Sequence, residues 1–244
     1  MKKSFAHLFL EGTKYQNMPK TDQQEGLDAP PLETPCKGER IPLPNVDLST
    51  YRMAFADAAS QRRSVRRFAD APISTTELSY LLTMTQGVQN ASEKHTLRFV
   101  PSAGARHAFD TYAFVQRVDG LKPGLYRYLA LEHALVLLET EDALFARLER
   151  ACLGQKMVSQ APLTMVWVAD IYRMAYRYGE RGMRYMHLDA GHVCQNLYLA
   201  AETINAGTCA VAAFDDDAMN ALLKLDDKTH FTIYLAPVGK KQKA

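Results

Sequence analysis

Thr111-Tyr112-Ala113-Phe114-Val115-Gln116-Arg117-Val118, followed by a turn and then Leu125-Tyr126-Arg127-Tyr128, decides the fold class. Asp119-Gly120 and Pro123-Gly124 bound the turn, and β-branched and aromatic side chains fill both flanks, so the segment reads as two antiparallel strands. Ala134 to Leu138 adds a short third strand. On the N-terminal side, Ser74-Thr75-Thr76-Glu77 is a capping box, and Leu78, Leu81 and Leu82 make the helix it opens amphipathic as far as Gly87. On the C-terminal side, Leu144, Leu148 and Cys152 mark a helix ending near Gly154, and Leu163 to Ala169 reads as a buried strand. The longest helical pattern runs from about Met183 to Asn205, with Met186, Ala190, Val193, Leu197, Ala200 and Ile204 at steps of three and four. Gly207 is expected to end it, and its small residues suit a central core or dimer-interface helix. An apolar strand from Cys209 to Ala213, a helix capped by Asp215 and reaching Leu223, and a strand from Phe231 to Val238 complete the pattern. A hairpin embedded among helices predicts an α+β sandwich, not a strictly alternating doubly wound sheet.

The 244 residues suffice for one sizeable core or a domain with an appendage. A net charge of +2 argues against a general nucleic-acid or membrane-surface binder. No apolar run reaches the roughly 18–20 residues of a membrane span. The start of the chain lacks an apolar core and a small-residue cleavage site, so no secretion signal is read. Cys36, Cys152, Cys194 and Cys209 have no CxxC spacing, and Cys152 and Cys194 fall on apolar helix faces as buried thiols would. A cytoplasmic protein is expected. Six of the 11 prolines lie before residue 46, which predicts a Pro-rich extended N-terminal arm over 1–46 and a compact domain over 47–244. The arm would wrap the domain or a partner, or else remain a disordered tail.

Four segments could carry chemistry. Arg62-Arg63-Ser64-Val65-Arg66-Arg67-Phe68 packs four cations and a hydroxyl into seven positions, a density suited to gripping a phosphate or to a solvated helix end. By alternation, Arg67 is expected to face away from Arg66. Pro101-Ser102-Ala103-Gly104-Ala105 is small enough to let backbone amides approach a flat or anionic ligand, or is an ordinary loop entering a strand. Ala210-Val211-Ala212-Ala213-Phe214-Asp215 leads into a helix whose first N–H groups could face a ligand, although capping by Asp215 explains the same residues. Gly239-Lys240-Lys241 is a basic stretch near the end of the chain. His187 and His192 are five apart, which misses the same-face spacing of a helical metal pair, and no metal site is expected.

Taken in order, RRSVRRF, PSAGA before a strand, a helix with Gly191-His192 and Gln195-Asn196-Leu197, and TCAVAAF resemble the FMN-dependent nitroreductase superfamily. GLYRY and Tyr178 to Tyr185 resemble its SagB-type (thiazole/oxazole-forming) dehydrogenase branch. The resemblance covers roughly 48–240 and implies a nitroreductase-like three-layer α/β/α sandwich with a mixed, largely antiparallel central sheet. It further implies a homodimer with FMN at the subunit interface. Arg62, Arg63, Ser64 and Arg66 would hold the phosphate, ribityl chain and a pyrimidine edge. Pro101, Ser102, Ala103 and Gly104 would come from the other subunit and pack on the isoalloxazine. A backbone N–H of Ala212 or Ala213 would lie near flavin N5, where many relatives have Glu-Gly. Gln155 would be an amide reaching in from the second subunit and Lys240 a late cation on the phosphate.

The activity implied is electron transfer from NAD(P)H through FMN to an organic acceptor, a nitroaromatic or a quinone. Alternatives are a SagB-like azoline dehydrogenase acting on a modified peptide, or a non-catalytic flavin-binding or partner subunit. No side chain is singled out as catalytic, since the chemistry belongs to the flavin, and a guanidinium near its N1–C2=O edge stabilises the charge left by hydride arrival. Azoline-oxidising members use a Lys-Tyr pair where this chain has Arg177-Tyr178, and a guanidinium does not take up a proton. Tyr172, Tyr176, Tyr178, Tyr185 and the arginines among them would line a substrate mouth or pack on the surface.

Overall fold

The computed structural model describes residues 4–226 and 228–242. The N-terminal stretch forms helix α1 (Phe5–Gly12), a helical turn α2 (Asp22–Glu25) and strand β1 (Ile41–Pro42). Helices α3 (Phe55–Gln61) and α4 (Thr75–Gln86) follow, then a small hairpin of β2 (Val88–Ala91) and β3 (Thr96–Arg98). The middle of the chain supplies β4 (Phe109–Val115), β5 (Gly124–Leu129), β6 (Ala134–Glu139), α5 (Leu144–Ala151), α6 (Met157–Gln160) and β7 (Leu163–Asp170). Helices α7 (Ile171–Tyr178) and α8 (Gly182–Thr203), strand β8 (Ala206–Thr208), helix α9 (Asp216–Leu223) and strand β9 (His230–Lys240) complete it.

The strands build a seven-stranded sheet in the order β1-β6-β5-β4-β7-β9-β8, with every strand pair antiparallel. Parallel bridges join Ser64 to Thr208 and Ile73 to Val118 at its margins. Strand alternation sorts the side chains into two layers. Ala113, Val115, Met165 and Trp167 face a core with Leu78, Leu81, Met186, Val193 and Leu197 of α4 and α8. Phe114, Val166 and Val168 face a second core with Leu144, Leu148, Met219 and Leu222 of α5 and α9. Each β7 residue is buried because it is covered on both faces, and the architecture is an α/β/α three-layer sandwich. The capping box at Ser74 forms as expected: Ser74 accepts the Glu77 N–H, and Glu77 accepts the Ser74 N–H at 3.0 Å.

Two expectations near the end of α8 need correction. The helix stops at Thr203, with Asn205 in the left-handed region (φ 53°), and Gly207 lies inside β8. A Cβ on Gly207 would fall 2.4 Å from Val65 Cγ2, so the glycine serves a close approach of chains. Cys209 to Ala213 is not a strand, because only Val211 pairs, with Leu235. The register that pairs Thr208 with Val238 would set Cys209 against Pro237. Leu235 turns its N–H toward Val211, so Pro237, two residues on, lacks the donor that side of the ladder needs. The Thr208 hydroxyl satisfies the Pro237 carbonyl instead, at 2.8 Å.

Within residues 4–46 the chain is helical from Phe5 to Gly12, where Ser4 accepts the His7 N–H, and it then runs along α7 and α8. Arg181 donates to the Thr13 carbonyl at 2.7 Å and Arg184 to the Thr13 hydroxyl at 2.6 Å. Tyr172 donates to Asp22 and Tyr176 to the Leu27 carbonyl, and Ile41–Pro42 adds the edge strand beside β6. The Tyr- and Arg-rich stretch 172–185 therefore largely holds this segment down. Under it lies a buried charge cluster that carries no sequence signature. The Asp110 carboxylate sits 2.6 Å from Arg127 and 3.3 Å from Arg173, which also meets Asp170 at 3.0 Å and donates to Thr34 at 2.8 Å. Burial alone would raise the Asp110 pKa, but Arg127 and Arg173 outweigh it and hold the carboxyl below its ordinary range.

Candidate functional site

Helix α3 ends at Gln61 with Arg62 as its C-cap, and the basic run continues as extended chain beside β8 and β9. Val65 donates to the Thr208 carbonyl at 2.9 Å and packs on Gly207, while Phe68 packs on Gly239, where a Cβ would lie 2.7 Å from its ring. These anchors leave Arg63, Ser64, Arg66 and Arg67 exposed. Arg62 lies with its guanidinium 5.2 Å from the Tyr198 ring centroid, and Ser64 Oγ is 3.1 Å from the Tyr198 hydroxyl. Arg63 caps its own helix end, donating to the Ser60 and Arg62 carbonyls at 2.8 Å. Arg66 lines a depression of about 290 Å³ with Phe68, Gln160 and Gln242, and Arg67 lines the same depression instead of facing away. Among the described residues none of Arg62, Arg63, Arg66 and Arg67 has a carboxylate within ion-pair reach, so the run is an unneutralised cationic surface.

Tyr198 joins this run to the strand-to-helix junction, since its hydroxyl also accepts the Ala210 N–H at 2.9 Å. Beyond Val211 the chain leaves the sheet, and Asp215 caps α9 by accepting the Ala218 N–H at 2.9 Å. Ala212 and Ala213 lie between these fixed points, exposed, and their N–H groups donate to no described residue. Gln155 reaches the junction within its own chain, donating to the Ala213 carbonyl at 2.7 Å and the Cys152 carbonyl at 3.0 Å. Lys240 is held by Glu77 and the Ile204 carbonyl.

Pro101 to Gly104 lie elsewhere. Ser102 donates to Asp189 at 2.6 Å, the Ala103 N–H donates to the same carboxylate, and the His107 N–H returns to Ser102 Oγ at 2.9 Å. Burial pushes the Asp189 pKa up, against the pull of these donors. Gly104 has φ 57°, and a Cβ there would lie 2.5 Å from the Tyr178 hydroxyl and 3.0 Å from Arg177, so both conformation and space demand glycine. Nine residues of α8, about 13 Å, separate Asp189 from Tyr198. One chain thus brings Arg62, Ser64, Ala210 and Gln155 to one end of α8 and presents the PSAGA loop at another point along it. His187 bonds the Met183 carbonyl and His192 sits 3.9 Å from Asp189, so the two histidines do not converge.

Sequence reasoning missed Tyr198 and Asp189. Asp189 had a signal, since it shares the spacing of Met186 and Val193 and is a charge on the buried stripe. Tyr198 had none beyond its place in that helix.

Next to the loop, burial and then Arg98 pull the His107 imidazole down to about 3. Between pH 6.5 and that value the unfolded chain binds a proton that the native chain refuses. Stability is therefore complete above about 6.5 and falls on acidification, by at most about 1.4 kcal/mol per pH unit for this group. Urea midpoints measured at pH 7.5 and pH 5 are expected to drop, and His107→Gln to flatten that slope. An equal slope in the variant removes His107 as its source.

Comparison with known proteins places this arrangement. The family model described as "Nitroreductase family" matches residues 59–240. A Methanocaldococcus jannaschii protein named as a nitroreductase (MJ1384) is 34% identical over 201 residues, covering 82% of this chain and 96% of its own. The trifolitoxin-processing protein TfxB of Rhizobium leguminosarum bv. trifolii is 28% identical over 159 residues, covering 63% of this chain and 43% of TfxB. A chain of the E. coli microcin synthetase McbBCD complex, solved with truncated pro-MccB17 bound, shares the fold with a TM-score of 0.62 at 18% identity, over 100% of this chain and 84% of that one. Matched across its sheet, its basic run and its strand-to-helix junction, the chain belongs to the nitroreductase family.

Proposed function

We propose that the protein is an FMN-dependent oxidoreductase of the SagB-type branch that oxidises an azoline ring in a modified peptide, working as a homodimer in the cytoplasm. The observation that carries the flavin half is the cationic run without acidic partners: Arg62, Arg63, Ser64 and Arg66 offer guanidinium forks and a hydroxyl to a phosphate. The undonated N–H groups of Ala212 and Ala213 suit a flavin N5, and Tyr198 fixes their distance from the basic run. The exposed stripe of α8 with Leu188, His187 and His192 suits a second subunit whose loop at Pro101, Ser102, Ala103 and Gly104 would lie on the flavin. Gln155 would act through the Ala213 carbonyl of its own subunit. Lys240, neutralised by Glu77, would add little to the phosphate.

Bound FMN supplies a two-electron acceptor. Converting an azoline to an azole removes two hydrogens, a hydride equivalent that the bound cofactor would take up and a proton from the adjacent carbon. The Tyr178 hydroxyl, which lies against Gly104, would relay that proton to solvent, passing on its own proton as it takes the new one, with Arg177 contributing charge where Lys stands in azoline-oxidising relatives. The likeness to a trifolitoxin-processing protein favours the peptide substrate.

The second reading has NAD(P)H as donor and a nitroaromatic or quinone as acceptor, and the near full-length match to MJ1384 supports it. Anaerobic mixing separates the two. A thiazoline-bearing peptide is expected to bleach the flavin band while NADH and NADPH leave it unchanged. Bleaching by NAD(P)H alone favours acceptor reduction, and tight FMN binding with no bleaching by either makes the chain a non-catalytic flavin-binding or partner subunit. Protein that is colourless and does not quench FMN fluorescence ends the flavin reading.

A further inference from the structure

A cavity of about 520 Å³ opens between the N-terminal segment and α7, walled by Tyr15, Lys20 and Gln24 on one side and by Arg177, Tyr178 and Arg181 on the other. That volume suits a small organic ligand. Three of the residues lining it are cations and none is a carboxylate. Among the described residues, Lys20, Arg177 and Arg181 have no acid within ion-pair reach. Arg181 bonds only neutral oxygens, the Tyr185 hydroxyl and the Thr13 carbonyl. Arg177 donates to no described residue, and its guanidinium lies 5.6 Å from the Tyr178 ring centroid. Asp22, the acid beside Thr21 of the wall, is engaged by the Tyr172 hydroxyl. Behind the wall stands a further cation, Arg106, whose pKa is lowered by burial and by Arg177. Like charges gathered this closely repel one another, and an anion in the cavity relieves that repulsion.

We propose that this cavity is a carboxylate-binding subsite and that the substrate is a five-membered azoline heterocycle bearing a free carboxylate, as at the carboxy terminus of a modified peptide. Arg177 and Lys20 take the carboxylate, and the Tyr178 and Tyr15 rings flank the heterocycle. The link to chemistry rests on the flavin reading. Gly104, which touches Tyr178 and Arg177, belongs to the loop that reading lays on the isoalloxazine, so the cavity adjoins the place where the ring would react. The N-terminal segment supplies half of the wall, which gives it a part in substrate selection.

Calorimetric titration of the protein as isolated with 2-phenylthiazole-4-carboxylate, and with its neutral carboxamide, tests the subsite. The acid is expected to bind about tenfold more tightly than the amide, the scale of one charge-assisted contact. Arg177→Gln and Lys20→Gln should each abolish most of that preference and leave amide affinity within twofold. Both side chains are exposed and make no described hydrogen bond, so folding is retained and circular dichroism checks it. Equal binding of acid and amide, or a preference that survives both variants, overturns the proposal. The thiazole is already oxidised, so binding needs no turnover. An acid preference together with a thiazoline acid that never bleaches the flavin keeps the subsite and removes the catalytic reading. Thiazoline acid and amide that bleach it equally, without a binding preference, keep the catalysis and remove the subsite.

Discussion

Replacing Asp110 with alanine is expected to destabilise the fold by about 3–5 kcal/mol, because removing one member of a buried ion cluster leaves charge uncompensated. Asp110 is 3% exposed and lies between Arg127 and Arg173, themselves 3% and 1% exposed. Without it, two guanidiniums confront each other with Asp170 on the Arg173 side and Glu33 near Arg127 left to offset them. For a chain of this size the melting temperature should fall by roughly 10 °C. The carboxylate's pKa is depressed in the native state, so its contribution is complete above its ordinary value near 3.8 and is lost as pH falls through the depressed one. The gap between parent and variant should therefore be flat from pH 5 to 8 and close only in strong acid. Thermal scans across that range check both statements, and a variant melting within about 2 °C of the parent would show that the cluster contributes little.

Arg66→Ala is expected to weaken FMN binding roughly 10- to 100-fold, the value of one charge-assisted phosphate contact, while the fold is retained. Arg66 is exposed, has no carboxylate partner and shares its depression with Gln160 and Gln242, so nothing in the fold depends on its charge. Arg66→Lys should recover only part of the affinity, because an ammonium cannot reproduce the planar fork. Arg62→Ala makes a useful contrast, since it also removes the stacking on Tyr198. Fluorescence quenching measures the affinities, and unchanged FMN occupancy in folded Arg66→Ala protein removes this residue from the flavin site.

The hairpin at β4–β5, the capping box at Ser74, the apolar stripe of α8 and the cap at Asp215 were legible because each is a local pattern with a local cause. Alternation, reciprocal side-chain bonds and helical spacing all act within a few residues. The fate of Cys209 to Ala213 was not legible, because its pairing fails through a proline 28 positions away on β9. Gly207 misled for a similar reason, since the chain it accommodates, at Val65, lies far off in sequence. In the site, the basic run and the junction each had a recognisable composition. The Tyr198 hydroxyl that connects them, and the Asp189 carboxylate that carries the PSAGA loop, act across space.

The bonds that fasten the N-terminal segment to α7 and α8 join residues 139 to 174 positions apart, as in Arg173 to Thr34 and Arg184 to the Leu10 carbonyl. During synthesis the segment emerges well before its anchors. At 5–20 residues per second, α1 waits roughly 10–40 s before α7 and α8 exist to receive it. Through that interval Phe5, Leu8 and Leu10, more than half exposed even in the finished fold, have no described surface to meet. A bulky fusion ahead of Phe5 would have to be carried through the final docking step.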